Sequence, residues 1–325
     1  MKKVLKLFRN LLLLAGIVFL ADRGIGYGLQ YFYENERQGD NSKTSYALTR
    51  KVKEDVLIFG SSRAAHHYVS DIIQESTGLS CYNVGRDGMK LSYYYVLLKS
   101  ILSYHKPKAI ILDLNHDDFI LEEKYRDKMV SALLPYIDRS KAVREYLADE
   151  APLESWKARF SYLYRYNSVP SSLLMNHIGM GQKHILGYEP LKQSKIRGDF
   201  KVQMVDNEEY REDPALVREF DAFVKAVRDQ GIELYVVYSP SLRRVKYDCI
   251  NTANTVLASY NMRLFDYSQY FTSNEKQFFY DETHMNNSGA ERFTKAFMQS
   301  IKVRKNAGEN KTDEPAFVQV EYSVR

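Results

Sequence analysis

The 325-residue sequence predicts an α/β protein on a doubly wound parallel sheet, with a helical insertion and an N-terminal membrane helix. Three observations carry this. Short apolar runs at Asp55–Gly60 (DVLIFG), Cys81–Val84 and Ala109–Leu114 (AIILDL) alternate with segments of helical spacing. That rhythm stops near residue 120 and resumes near 214. The chain opens with four basic residues and no acid, followed by an unbroken apolar run.

That opening comes first in the chain. Lys2, Lys3, Lys6 and Arg9 precede Leu11–Ala21 (LLLLAGIVFLA), and Asp22 and Arg23 end the run. A basic leader and an apolar core have the layout of an export signal. The positive excess ahead of the run places the N-terminus in the cytoplasm and the remainder outside. Val4, Leu5, Leu7 and Phe8 lengthen the run backward, with Lys6 and Arg9 free to snorkel. No small-x-small cleavage site closes it, and the Tyr/Phe cluster at 27–33 reads as an interfacial aromatic belt. Residues 1–33 are therefore expected to be an uncleaved single-pass anchor in the cytoplasmic (inner) membrane. The alternative is a removed signal peptide.

Residues 34–53 are polar and read as a linker or first surface loop. The main α/β domain is expected over 54–304. Its first half runs strand, helix, strand, helix, strand to Leu114, and residues 120–210, rich in charge, Tyr and Leu, read as a helical insertion without a clear strand. The rhythm then predicts a helix at 214–229, a strand at 232–238, a helix at 246–260, a strand at 262–266 and a last helix from Asn287 to Val303. The polar tail, 305–325, ends in AFVQVEYSV, which could add a terminal strand.

Composition narrows the class. The apolar fraction of 45% and charged fraction of 27% are ordinary for a globular chain and argue against long disorder. The net charge of +5 is spread among acids, and no basic run is long enough for nucleic-acid binding. The 26 tyrosines suit either sugar stacking or plain half-buried packing. Cys81 and Cys249 have no metal-ligand spacing. Outside the cytoplasm they could pair; otherwise they are two buried thiols.

Ligands of open parallel sheets bind at the carboxyl ends of the strands. Four segments fall there or beside the last helix. Gly60-Ser61-Ser62-Arg63 puts a serine at a strand-to-helix turn, either as a nucleophile at a helix N-terminus or as a plain N-cap. Asn83-Val84-Gly85-Arg86-Asp87-Gly88 allows close backbone approach, with the Gly88 N–H as an oxyanion donor, or is a simple turn. Asn115 follows the third strand and can offer its amide as another donor; His116, Asp117 and Asp118 form a less apt metal set, because adjacent side chains diverge. Asp281 and His284, three apart, can be brought together by one turn. A serine hydroxyl needs a histidine to take its proton, and that histidine needs a carboxylate to hold its tautomer. His66 and His67, a turn past Ser62, could line a pocket mouth or face solvent.

In this order the four segments resemble the SGNH hydrolase superfamily, the GDSL-like esterases and lipases. The resemblance covers about 55–118 and 214–304. It implies a flavodoxin-like sheet, Ser62 as nucleophile, His284 as base and Asp281 as its orienter. The Ser62 N–H, Gly88 and Asn115 would hold the oxyanion. Ser61 stands where the name-giving Asp is usual, and the glycine that normally precedes the Asn of the third block is missing before Asn115. Gly60-Ser61-Ser62-Arg63 is similar to the membrane-anchored branch that modifies cell envelopes, which includes the D-alanine transfer factor of teichoic acids and alginate acetylation proteins. The run from the anchor through GSSRAAHHY and CYNVGRDG is similar to envelope proteins of Bacteroidetes-type bacteria. The expectation is a serine esterase or acyltransferase, without metal or cofactor, acting on acyl groups of an envelope polysaccharide or glycolipid in the periplasm or an equivalent extracytoplasmic space. The transferase form would work with a membrane acyl-donor partner. A catalytically inactive envelope binding or scaffold protein on the same fold is the alternative.

Overall fold

The computed structural model describes residues 1–120, 123–168, 170–192, 194–196, 204–206 and 210–307. Its centre is a parallel sheet of five strands: β1 (Val56–Phe59), β2 (Cys81–Asn83), β3 (Ala109–Asp113), β5 (Glu233–Tyr238) and β7 (Phe265–Asp266), in the spatial order β2-β1-β3-β5-β7. Counted along the sheet this is the 2-1-3-4-5 order of doubly wound folds. Val56 pairs with Cys81 on one side and Ala109 on the other, and Ala109 pairs in turn with Glu233. The continuous apolar runs follow from burial on both faces. Leu57, Phe59, Ile110, Leu112 and Val236 enter one core, and Val56, Ile58, Ile111, Tyr235 and Val237 the other.

Helices cover each face. α3 (Ser62–His67), α4 (Ser70–Thr77) and α12 (Asn287–Ala307) bring Ala64, Ile73, Phe293 and Phe297 to the second core, and Tyr68, between α3 and α4, joins them. α5 (Leu91–Leu102), α10 (Pro214–Asp229) and α11 (Ile250–Ala258) serve the first. α10 starts where Asp213 accepts a hydrogen bond from Ala215 N–H and Pro214 occupies the first turn. Its Leu216, Phe220, Phe223, Val224 and Val227 form one buried stripe.

The stretch between β3 and α10 is helical, as its composition suggests: α6 (Glu123–Leu133), α7 (Lys141–Glu150), α8 (Pro152–Phe160) and α9 (Pro170–His177). It also contains β4 (Met204–Val205), paired in parallel with β6 (Arg244–Val245), which the sequence pattern does not suggest. The reading of 34–53 as a linker is corrected. α2 (Asp40–Leu48) lies there, and Asn41–Ser45, Ala47 and Leu48 are buried. Its polar side chains are held from afar: Thr44 Oγ1 lies 2.7 Å from Tyr93 Oη, Ser45 Oγ lies 2.6 Å from Tyr136 Oη, and Lys43 Nζ lies 2.5 Å from Glu189.

α1 (Lys2–Glu34) is long and apolar enough to cross a membrane, and among the described residues its apolar part is not buried against any other element. Its C-terminal end belongs to the folded domain. Tyr33, read with the aromatic belt, is instead fully buried in the first core, beside Tyr136 and Tyr166. Cys81 and Cys249 are both free and buried, and they pack in cores on opposite faces of the sheet, which rules out pairing. The tail strand considered at 316–324 lies outside the described residues.

Candidate active site

β1 ends at Phe59 and the chain turns at Gly60 into α3. Gly60 has φ +143°, and a Cβ there would sit 2.7 Å from Ala64 Cβ and 2.7 Å from the Asp113 carbonyl oxygen. Only glycine fits that turn. The turn sets half-buried Ser62 as the first residue of α3, where its N–H has no intrahelical acceptor. Asn83, at the end of β2, braces the same helix: its Nδ2 donates to the Ala64 carbonyl at 2.7 Å and its Oδ1 accepts from Gly85 N–H at 2.9 Å.

The histidine arrives from the loop before α12. Phe279 bridges to Met285, and Tyr280 N–H donates to the His284 carbonyl, closing a tight loop over 280–284. His284 Nε2 lies 2.7 Å from Ser62 Oγ, and its Nδ1 lies 2.9 and 3.0 Å from the two Asp281 oxygens. Asp281 Oδ1 also accepts from Thr283 N–H, Thr283 Oγ1–H and His284 N–H. Burial opposes the Asp281 charge, but these donors and the adjacent imidazole outweigh it and hold the carboxyl well below the usual carboxylate range. The structure thus brings Ser62, His284 and Asp281 into one relay.

The two other sequence candidates, Gly88 and Asn115, make no hydrogen bond to the Ser62–His284–Asp281 set among the described residues. Gly88 has φ +66° and faces the Lys128 ammonium, next to Asp87, which with Lys128 lines the cavity at His284. The Asn115 amide oxygen accepts from His116 N–H at 3.0 Å, while the Asn115 N–H is held by Asp118 at 2.7 Å. The missing glycine of that block has its counterpart here, in a loop folded on itself. Asp117 is drawn off to Lys90 at 2.5 Å and Asp118 to the Asn115 N–H, so the three adjacent residues do not converge on a point.

Both histidines of α3 are buried, which corrects their reading as surface residues. His67 Nε2 accepts from Met285 N–H at 3.0 Å, and its Nδ1 lies 2.9 Å from Ser239 Oγ, so the ring is neutral with its proton on Nδ1. Burial, with the Arg63 charge adding to it, pushes its pKa well below the usual histidine value. His67 therefore tethers the residue that follows His284. Beneath it Arg63 and Asp113 pair at 3.6 Å, and Asp113 Oδ1 accepts from Tyr68 Oη at 2.8 Å and Ser239 N–H at 3.1 Å. Nothing in the spacing of these residues separates them from ordinary core positions.

A cavity of about 640 Å³ opens beside His284 and Asp281. α2, α6 and α9 build its far wall with Asn41, Lys128, Ser131 and Asn176, and Arg86, Asp87 and Glu189 complete it. The helical insertion thus has a structural role: it closes the space over the sheet's carboxyl edge. Arg86 is buried there on neutral acceptors, donating to Thr44 Oγ1 at 2.6 Å and Asn41 Oδ1 at 2.9 Å. His66 lines the same space, its Nδ1 on the Glu189 carbonyl at 2.7 Å and its Nε2 3.3 Å from Asp87. Among the described residues, His66, Asp87 and Glu189 are the set whose potential metal-binding atoms cluster, within 4.8 Å. Those atoms are already engaged with one another and with Lys43.

No family model matches the chain, and no curated protein matches it. Among solved structures, one from Streptococcus pneumonia, provisionally described as a platelet activating factor, aligns over 84% of this chain and 96% of its own at 12% identity, with a TM-score of 0.30. A likeness at that score carries no argument about activity.

Proposed function

We propose that the protein is an SGNH-type serine esterase or acyltransferase, held at the cytoplasmic membrane by α1 and acting on acyl groups of an envelope polysaccharide or glycolipid. The observation that carries the reading is the unbroken relay from Ser62 Oγ through His284 to Asp281, at 2.7 and 2.9 Å, on the edge of a cavity wide enough for a sugar unit.

The chemistry follows from the geometry. His284 Nε2 accepts the Ser62 proton as Oγ attacks the acyl carbonyl carbon. Asp281, kept ionised by its four donors, stabilises the imidazolium and fixes the proton on Nδ1. Backbone N–H groups at the start of α3 receive the developing oxyanion. His284 then returns its proton to the departing alcohol, leaving an ester on Ser62. Water, or a sugar hydroxyl in the transferase form, attacks that ester with His284 as base. The polar cavity wall suits a hydroxyl-rich acceptor better than a bare acyl chain.

Fluorophosphonate labelling of the full chain in detergent tests this. The wild type is expected to label at Ser62, and Ser62→Ala not to label. Equal labelling of the variant, or release of acetate from acetylated glycan unchanged by it, would refute the assignment. A folded wild type that never labels would favour the binding or scaffold reading.

A further inference from the structure

We propose that α8 is a second membrane contact, seated in the headgroup layer beside α1, an inference that rests on α1 being the anchor. Val4–Ala21 spans about 27 Å as a helix, close to the thickness of a hydrocarbon core, so Asp22 stands at its boundary. At that level the end of α8 is clamped to α1. Asp22 accepts from Ser161 Oγ at 2.5 Å, Tyr162 N–H at 2.9 Å and Leu163 N–H at 3.2 Å. Arg23 donates to the Phe160 carbonyl at 3.0 Å and lies over the Tyr162 ring. Gly26 lets Tyr162 approach so closely that a Cβ would fall 2.4 Å from Tyr162 Cβ.

The face of α8 fixed at this height is apolar and bare. Leu153, Trp156 and Phe160 recur at helical spacing with exposures of 62, 63 and 71%, and the Trp156 and Phe160 rings stack at 5.6 Å. Lys157, paired with Glu154 at 2.8 Å, and Arg159 flank that face in the last turn of the same helix. A helix face of Trp and Phe flanked by basic residues is what an anionic interface binds. The occupant is thus the bilayer surface in which α1 itself stands. Because the same insertion walls the cavity, this second contact would hold the cavity in one orientation to the membrane.

Trp156 is the protein's one tryptophan and reports on its own seat. The full chain is reconstituted into phosphatidylcholine–phosphatidylglycerol vesicles containing lipids brominated either near the headgroup or near the methyl end. The expected result is flotation with the vesicles, strong quenching of Trp156 by the shallow bromine and weak quenching by the deep one. Leu153→Ser with Phe160→Ser, both at exposed positions, should relieve the shallow quenching while flotation persists. Chains that float with Trp156 quenched by neither lipid and open to iodide overturn the docking and leave the anchor standing. Trp156 shielded from iodide yet unquenched by lipid would mean a protein covers this face, and also overturns it. Chains that do not float overturn both readings.

Discussion

His67 makes the sharpest test of how this site is held. Replacing it with alanine leaves the Met285 N–H and the Ser239 hydroxyl without their partners, both in fully buried residues. Each orphaned group costs about 1–3 kcal/mol, and the vacated ring volume adds to this, so His67→Ala should lose about 4 kcal/mol. Gln offers one donor and one acceptor and should recover much of the loss. A pH signature separates the ring from its volume. The folded pKa of His67 lies well below its unfolded value of about 6.5, so its contribution is full above pH 6.5 and falls as pH drops below it. The slope is about 1.4 kcal/mol per pH unit until the folded pKa is reached. Chemical unfolding of the full chain in detergent, at pH 8 and pH 5.5, should show wild type losing about 1 kcal/mol more than His67→Gln across that range. Since His67 tethers the residue after His284, the alanine variant should also react with fluorophosphonate about 10–100 times more slowly, with Gln largely restoring the rate. A His67→Ala protein within about 0.5 kcal/mol of wild type and equally reactive would refute the tether.

Three further outcomes follow from the same geometry. Asp281→Asn should keep the fold but lower turnover by about four orders of magnitude, because Nδ1 loses the acceptor that fixes its tautomer; steady-state ester hydrolysis against wild type checks this. Gly60→Ala forces a side chain into a φ of +143° with two 2.7 Å contacts, and should cost at least about 2 kcal/mol by thermal or chemical unfolding together with loss of Ser62 reactivity. Lys43→Met strands the Glu189 carboxylate, whose pKa burial already raises despite the paired ammonium, and should destabilise by about 3–5 kcal/mol in urea titrations; adding Glu189→Met should return most of it.

The sheet and the relay were legible in the sequence for different reasons. The strands are buried on both faces, so DVLIFG, AIILDL and IELYVVY stand out as apolar runs, and α10 carries caps and a stripe that need no tertiary information. Ser62 was readable because a serine after a strand-ending glycine has few roles, and Asp281 and His284 because one loop suffices to join them. Their meeting across 222 residues is a tertiary fact. So are α2 and the histidines of α3. Residues 40–48 carry no apolar period, because their buried side chains are polar and are satisfied by Tyr93, Tyr136, Glu189 and Arg86 from distant parts of the chain. His66 and His67 look like surface residues until α12 and the loop after Tyr188 close over them. The cavity is the clearest case. Its walls come from α2, α6, α9 and the loop before α12, and no local pattern encodes a space that exists only where separate elements fail to touch.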